Sequence, residues 1–243
     1  MLLMLLVLAG CATTKSQSGP ADSSMRQRSQ IHAELGGNYY AQGQLGIALD
    51  EFNEAVRLDP SYAPAHAGLG LVHGALRQDD KAEASFKRAV QLDPDSSESH
   101  NNYGTFLCAR NRIDESIAEF MAAVSNPLYA TPESAYMNAG ICAMKKNDVG
   151  HAEDYLMQAV QIQPGLRQAS YLLADINFAR SAYAESRMHL QRAMQAGEPT
   201  PEMLWLAVRL ERLQGDKDAE ASYSLLLRKK YPESAQTKAM LAE

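Results

Sequence analysis

An all-α solenoid of stacked helical hairpins is the fold this sequence predicts, and three observations predict it. The set Ala48, Phe52, Ala55 and Pro60 recurs 34 positions later as Ala82, Phe86, Ala89 and Pro94. It returns, degraded, as Phe120 and Ala123 and, after a two-residue slip, as Ala152, Leu156, Ala159 and Pro164. A second pair of positions keeps the same register: Leu35-Gly36, Leu69-Gly70, Tyr103-Gly104, Ala139-Gly140 and Leu173-Ala174. Prolines and turn-forming pairs punctuate the period. A fixed period of this length marks hairpins that cannot bury their apolar faces alone and therefore stack on their neighbours.

Counted from the start of the period, the units are 29–62, 63–96, 97–130, 133–166, 167–200 and about 200–233. In the first helix of each, a glycine costs about 1 kcal/mol of helix propensity relative to Ala, so Gly36, Gly70, Gly104 and Gly140 mark places where another helix comes close. In the second helices, Ala48, Ala82 and Ala152 serve the same close approach, and Phe52 and Phe86 fill the space beside them. Pro60, Pro94 and Pro164 end their units because proline cannot continue a helix. Gly43-Gln44, Asp79-Asp80, Asn147-Asp148 and Gly215-Asp216 read as the turns between the two helices of a unit, since these residues bond locally or tolerate positive φ. The fifth unit departs from the pattern with Ser186, Leu190, Ala193 and Glu198. The sixth, carrying Ala219, Tyr223 and Leu226, reads one residue short, and residues 234–243 remain as a C-terminal tail. The pattern resembles the tetratricopeptide repeat, with six copies over residues 29–233.

The chain opens on an apolar segment, residues 1–10, that ends in Leu8-Ala9-Gly10-Cys11. That string resembles the bacterial lipobox, in which the cysteine becomes the first mature residue and carries acyl chains. The apolar run is shorter than the about 20 residues a membrane-spanning helix needs. Signal peptides open with Lys or Arg, and Met1 to Gly10 has neither, so the signal is expected to begin upstream of Met1. Several acyl chains on Cys11 form an effectively permanent anchor. By the same resemblance, Ala12 in place of an aspartate implies the outer membrane. Residues 11–28, rich in Ser, Thr and Gln without apolar period, read as the acylated cysteine and a flexible tether spanning roughly 20–25 Å.

With 23 basic against 29 acidic residues the net charge is −6, which disfavours a nucleic-acid partner. The one dense basic run, Arg228-Lys229-Lys230, reads as a solvated helix end. Cys108 and Cys142 fall on the first helices of adjacent units, where helix axes lie about 8–10 Å apart. In an oxidising periplasm a Cys108–Cys142 disulfide is expected; two small buried thiols are the alternative. His32, His66 and His100 occupy one site of successive units. Sites a helix diameter apart cannot converge on a single ion, because zinc holds its nitrogens at about 2.0–2.1 Å, so packing histidines are expected and no metal. His151, Glu153 and Asp154 cluster after a turn, where acids match the helix dipole. No nucleophile with a base, phosphate loop or metal motif is present: the chain is expected to be no enzyme, to carry no cofactor beyond the lipid on Cys11, and to be monomeric.

In the tetratricopeptide repeats this chain resembles, the second, fifth, ninth, twelfth and thirteenth residues of each unit line the binding groove. Carried over, they give Tyr40, Leu71, Asn101, Thr105, Cys108, Met137, Ile141, Met144, Tyr171, Asp175 and Phe178. Aromatic and Met side chains suit an adaptable apolar anchor site, and the Asn101 amide can hold an extended backbone.

Longer stretches carry a closer resemblance. They are Asn101-Asn102-Tyr103-Gly104, Asn126-Pro127-Leu128-Tyr129 ahead of Glu133, Asn138-Ala139-Gly140, Leu173-Ala174-Asp175 and Tyr231-Pro232-Glu233-Ser234. With the lipobox, tether and repeats, they resemble the type IV pilus biogenesis lipoproteins of the PilF/PilW family over roughly residues 30–235. The missing basic start and the histidines heading units one to three depart from that pattern. The resemblance implies a pilotin: a lipidated outer-membrane chaperone that binds secretin subunits and promotes their assembly. The other reading is a periplasmic repeat lipoprotein that scaffolds cell-wall or envelope-assembly enzymes.

Overall fold

A computed structural model describes residues 20–242; the signal segment, Cys11 and the tether as far as residue 19 lie outside the described residues. Helices α1 (Pro20–Ala41) and α2 (Leu45–Leu58) form the first hairpin, α3 (Ala63–Ala75) and α4 (Asp79–Leu92) the second, α5 (Ser97–Ala109) and α6 (Ile113–Ser125) the third. The fourth is α7 (Pro132–Lys145) with α8 (Val149–Ile162), the fifth α9 (Arg167–Ala179) with α10 (Tyr183–Gln195), and the sixth α11 (Pro201–Gln214) with α12 (Lys217–Lys230). A short α13 (Ala235–Ala242) follows. Among the described residues there is no strand, and no helix is long and apolar enough to cross a membrane.

Each second helix packs on its own first helix and on the first helix of the next unit, while first helices also touch one another. The result is a two-layer solenoid with the first helices on one face. Its core is the repeated small-plus-large set: Ala48, Ala82, Ala123, Ala152 and Ala193 are sealed, and Phe52, Phe86, Phe120 and Leu156 lie beside them. The glycines answer to these rings. A Cβ on Gly70 would meet the Phe86 ring at 2.7 Å, and one on Gly104 the Phe120 ring at 2.8 Å. Phe86 also stacks on Tyr103 at 5.8 Å and leans on Phe106 at 5.4 Å, tying unit two to unit three. Where a serine replaces the consensus alanine, its hydroxyl finds the facing backbone: Ser116 Oγ donates to Gly104 O (2.8 Å) and Ser186 Oγ to Ala174 O (2.7 Å). The departure in unit five is therefore a satisfied buried polar group.

Four boundaries differ from the sequence reading. Residues 20–28 are helical and belong to α1, because proline is preorganised at a first helical position and the Met, Arg and Gln that follow favour helix. Composition alone shows that this stretch is exposed, not that it is a coil. In unit two the turn falls at Arg77, and Asp79-Asp80 instead opens α4, where acidic side chains suit the positive end of the helix. The sixth unit keeps the full period: α11 starts at Pro201 and α13 at Ala235. Residues 235–242 are accordingly the start of a further first helix, with Thr237 and Met240 buried against α11 and α12. A two-residue insertion separates units three and four. It is a built loop: Asn126 accepts from Leu128 N (2.9 Å) and donates to Asp95 O (3.0 Å), while Tyr129 is buried and Leu128 stands 88% exposed.

Cys108 on α5 and Cys142 on α7 are joined in a disulfide with Cα atoms 5.8 Å apart, across this same joint. The two ends of the solenoid are unlike. Leu69, Tyr103, Ala139 and Leu173 are covered by the preceding second helix; their counterpart Leu35 has no such helix before it among the described residues and is exposed, as is Ile31 one turn earlier.

Candidate functional site

The face formed by first helices carries the predicted groove residues. Tyr40, Leu71, Asn101, Met137, Ile141, Met144, Tyr171, Asp175 and Phe178 are all half-buried, and Thr105 is exposed. They hold this state because they lie on the side of each first helix turned away from the second-helix layer; their bases pack on the core while their tips stay accessible. Met137 and Met144 brace the cluster around Leu156 and Leu173, and Tyr171 and Phe178 the one around Leu190 and Leu206.

The structure brings three of them together. Tyr40, Leu71 and Thr105 line a cleft of about 170 Å³ that spans units one to three, with Asn102, Phe106 and Arg110 completing its wall. Gly70 and Gly74 keep its floor open. Thr105 Oγ1 is spent on Asn101 O (2.9 Å), and Asn101 Oδ1 accepts from Asn138 Nδ2 (3.1 Å), so the amide exposed to the cleft is that of Asn102. Arg110 is held by Asp79 (Nε to Oδ2, 3.0 Å) and lies 4.8 Å over the Phe106 ring. Cys108 is buried in the disulfide and offers the groove no free thiol.

The remaining predicted residues lie further along the same face. Tyr171 has its hydroxyl pushed up to about 12, first by burial and then by the neighbouring Asp175 carboxylate. Phe178 carries the Arg209 guanidinium 4.2 Å above its ring and tilts against Tyr183 at 5.8 Å. Trp205, Arg209 and Arg212 on α11 thus belong to this face and were missed. The same register counted from 201 rather than 200 lands on all three.

The histidines are not packed as apolar fillers. His32 Nδ1 contacts Glu51 and His100 Nδ1 contacts Glu119, each at 2.6 Å, linking the two helices of a hairpin. His66 and His100 each reach back through Nε2 to a loop carbonyl, of Pro60 (3.0 Å) and Pro94 (2.9 Å). No group of three potential ligands is close enough to hold a metal among the described residues. His151 pairs with Asp148 (2.8 Å) at the α8 N-terminus and Glu153 with Arg180, so this cluster is divided among separate surface pairs. In the basic run, Lys230 bonds Glu198 (2.5 Å) and Arg228 and Lys229 are exposed at the end of α12.

Models of the TPR repeat match residues 36–76, and models of the tetratricopeptide repeat match 63–96, 85–118 and 133–165. The type IV pilus assembly protein PilF of Pseudomonas aeruginosa is 25% identical over 242 residues, covering 99% of this chain and 96% of that one. Its solved structure superposes with a TM-score of 0.82 over 90% of this chain and 99% of its own. The crystal structure of PilW, described as a widely conserved type IV pilus biogenesis factor, is 30% identical, with a TM-score of 0.77 over 88% of this chain and 99% of its own. Sharing with PilW both its sequence at that level and its hairpin stack from end to end, the chain belongs to the PilF/PilW family of tetratricopeptide-repeat proteins.

Proposed function

We propose that this protein serves type IV pilus biogenesis as a pilotin: a monomeric, non-catalytic chaperone held at the periplasmic face of the outer membrane by acyl chains on Cys11. Its cargo in this reading is the secretin subunit of the pilus. The observation that carries the proposal is the half-buried strip that runs at one register from Tyr40 to Phe178, with the Tyr40–Leu71–Thr105 cleft at its N-terminal end. Such a strip suits an extended or helical segment with apolar anchors. Similarity to PilF along nearly the whole chain supports assigning the cargo to the pilus machinery.

Two steps follow. The groove captures a segment of the secretin subunit, and the lipid then holds that subunit beside the bilayer, replacing a three-dimensional search by a local one at high effective concentration. No bond is made or broken, and the one covalent group required is the lipid. The test compares a deletion strain, a Cys11→Ala strain and wild type for detergent-resistant secretin multimers. Multimers should vanish in the deletion. With Cys11→Ala, subunits should co-purify with the protein yet miss the outer membrane. Intact multimers and normal pili beside altered cell shape would overturn the proposal in favour of a scaffold for cell-wall enzymes.

A further inference from the structure

The arginines of the half-buried class differ in one respect. Arg110, Arg112 and Arg187 each meet a carboxylate, of Asp79, Glu83 and Glu211 respectively, and Arg167 bonds Glu198 O. Arg209 has neither a carboxylate nor a carbonyl partner among the described residues. Its guanidinium carbon sits over the Phe178 ring, 4.2 Å from the centroid, and Phe178 is braced by Tyr183. Arg209 occupies on α11 the register that Leu71, Thr105, Ile141 and Asp175 occupy on earlier first helices, so it is presented on the groove face. Asp175 and Glu202 raise the Tyr171 hydroxyl, and neither forms an ion pair with Arg209 among the described residues. Arg212, one turn on, is already engaged by Glu220 (2.7 Å).

A guanidinium stacked on an aromatic ring has its five N–H donors fixed in one plane, and the fork left free accepts a carboxylate through two parallel bonds. The stack costs the side chain its rotamer entropy before any ligand arrives. In a chain of net charge −6 whose other half-buried arginines each have a carboxylate or carbonyl partner, a preorganised and unpaired one marks a place left for an anion from outside.

We propose that Arg209 is the anion-accepting point of the groove, and that it takes an aspartate or glutamate side chain of a partner segment whose apolar residues rest on the Met137, Ile141, Met144 and Tyr171 stretch. This rests on reading that face as a peptide groove. It adds a chemical requirement: one carboxylate placed beyond the apolar anchors.

The test uses the full-length lipidated protein in detergent and two sets of fluorescent peptides read by anisotropy. One set is synthetic, carrying Leu and Met anchors with Glu, Asp, Gln, Asn or Ala at the next positions, with amidated and free C-termini. The other consists of overlapping segments of the periplasmic part of the secretin. Glu and Asp peptides should outbind their Gln and Asn counterparts by about tenfold or more, and Arg209→Gln should erase that difference. Arg209→Lys should restore part of it, since the charge survives without the planar fork. The preference should weaken as salt is raised. Circular dichroism melts check that both variants stay folded. Equal binding of acidic and amide peptides, or equal binding of Glu peptides by wild type and Arg209→Gln, overturns the inference. So does a preference that follows the free C-terminus instead of the side chain. If the synthetic set behaves as expected but no secretin segment binds, the anion site stands and the secretin reading falls. If secretin segments bind both proteins alike, the reverse holds.

Discussion

Six hairpins place their inter-helix turn at the same register, and in all six one residue there has positive φ: Gly43, Arg77, Asn111, Asn147, Ser181 and Gly215. Glycine enters that region freely and asparagine with little difficulty, whereas Arg77 (φ 56°) and Ser181 (φ 62°) have a Cβ to accommodate. The left-handed region costs a residue with a Cβ roughly 1–2 kcal/mol, and glycine's larger unfolded-state entropy returns about 0.4–1 of that. Arg77→Gly, at an exposed site, should therefore raise stability by about 0.5–1 kcal/mol, read as a rise in melting temperature; a fall would show that Arg77 makes a contact worth more than its strain. The Asp79-Asp80 pair drew the sequence reading away from this turn because acids suit both turns and first helical turns. His100 was harder to read. The sequence shows a bulky ring at a packing site, but not that Glu119 and the Pro94 carbonyl face its two nitrogens. Both are acceptors, so the protonated ring satisfies both. The hydrogen bond to Glu119 lifts the pKa of His100 above its ordinary 6.5, against the effect of burial. The folded chain then holds a proton that the unfolded chain has released. The stabilisation is complete below that ordinary value and fades as pH rises through the raised one. The melting deficit of His100→Gln should accordingly be larger near about pH 5.5 than near about pH 8.5, and a deficit independent of pH would refute the protonated pair.

Helices and their joints were legible wherever apolar spacing set them. Ala82, Phe86 and Ala89 specify α4 whatever its surroundings, and the insertion after Ser125 showed as a two-residue slip. What spacing could not show was the structure inside that slip, which depends on Asn126 bonding Leu128 N and Asp95 O and on Tyr129 turning inward. The same joint carries the Cys108–Cys142 bridge between α5 and α7, first helices that touch only lightly there. The bridge closes a loop with a sequence separation of 34, which on the chain-entropy model stabilises by roughly 3–4 kcal/mol. In a stack whose units contact only their neighbours, the loss on cutting it should be local. The Cys108→Ala/Cys142→Ala pair should melt earlier, and its faster hydrogen exchange should centre on α5 to α7 and leave α1 to α3 close to wild type. Reductant should reproduce the effect in wild type but not in the variant. A uniform rise in exchange along the chain would mean that the hairpins fold as one block.

Across the whole stack, the groove was legible as a strip and illegible as an object. Register alone placed Tyr40, Leu71 and Thr105 on one face, but their meeting in a cleft with Asn102, Phe106 and Arg110 depends on how far each unit rotates on the last, which no local pattern encodes. The error at unit six was one of counting: a single residue of register hid Arg209 and made α13 look like a tail. That helix covers the sixth hairpin. At the N-terminal end of the described residues Leu35 and Ile31 lie open, whereas at the other end α13 lays Met240 over Leu204, Val208 and Leu227. Gln236 Nε2 donates to Glu202 Oε1 (3.1 Å), fastening α13 to α11. Burial of a methionine side chain contributes about 1.5–3 kcal/mol, and the leucines it covers would lose part of their own burial with it. Ending the chain after Ser234 should therefore lower the stability of the last unit by several kcal/mol, on the order of one or two buried side chains. In a one-dimensional stack that deficit stays near its source. Hydrogen exchange should accelerate in α11 and α12, less in α9 and α10, and not in α1 to α6. Because Phe178 and Arg209 straddle α9 and α11, the truncated chain should also lose the preference for acidic peptides while keeping occupancy of the Tyr40–Leu71–Thr105 cleft. Unchanged acidic selectivity with a frayed α11 would mean that Arg209 does not need its ring beneath it, and the preorganised fork would then have no part in recognition.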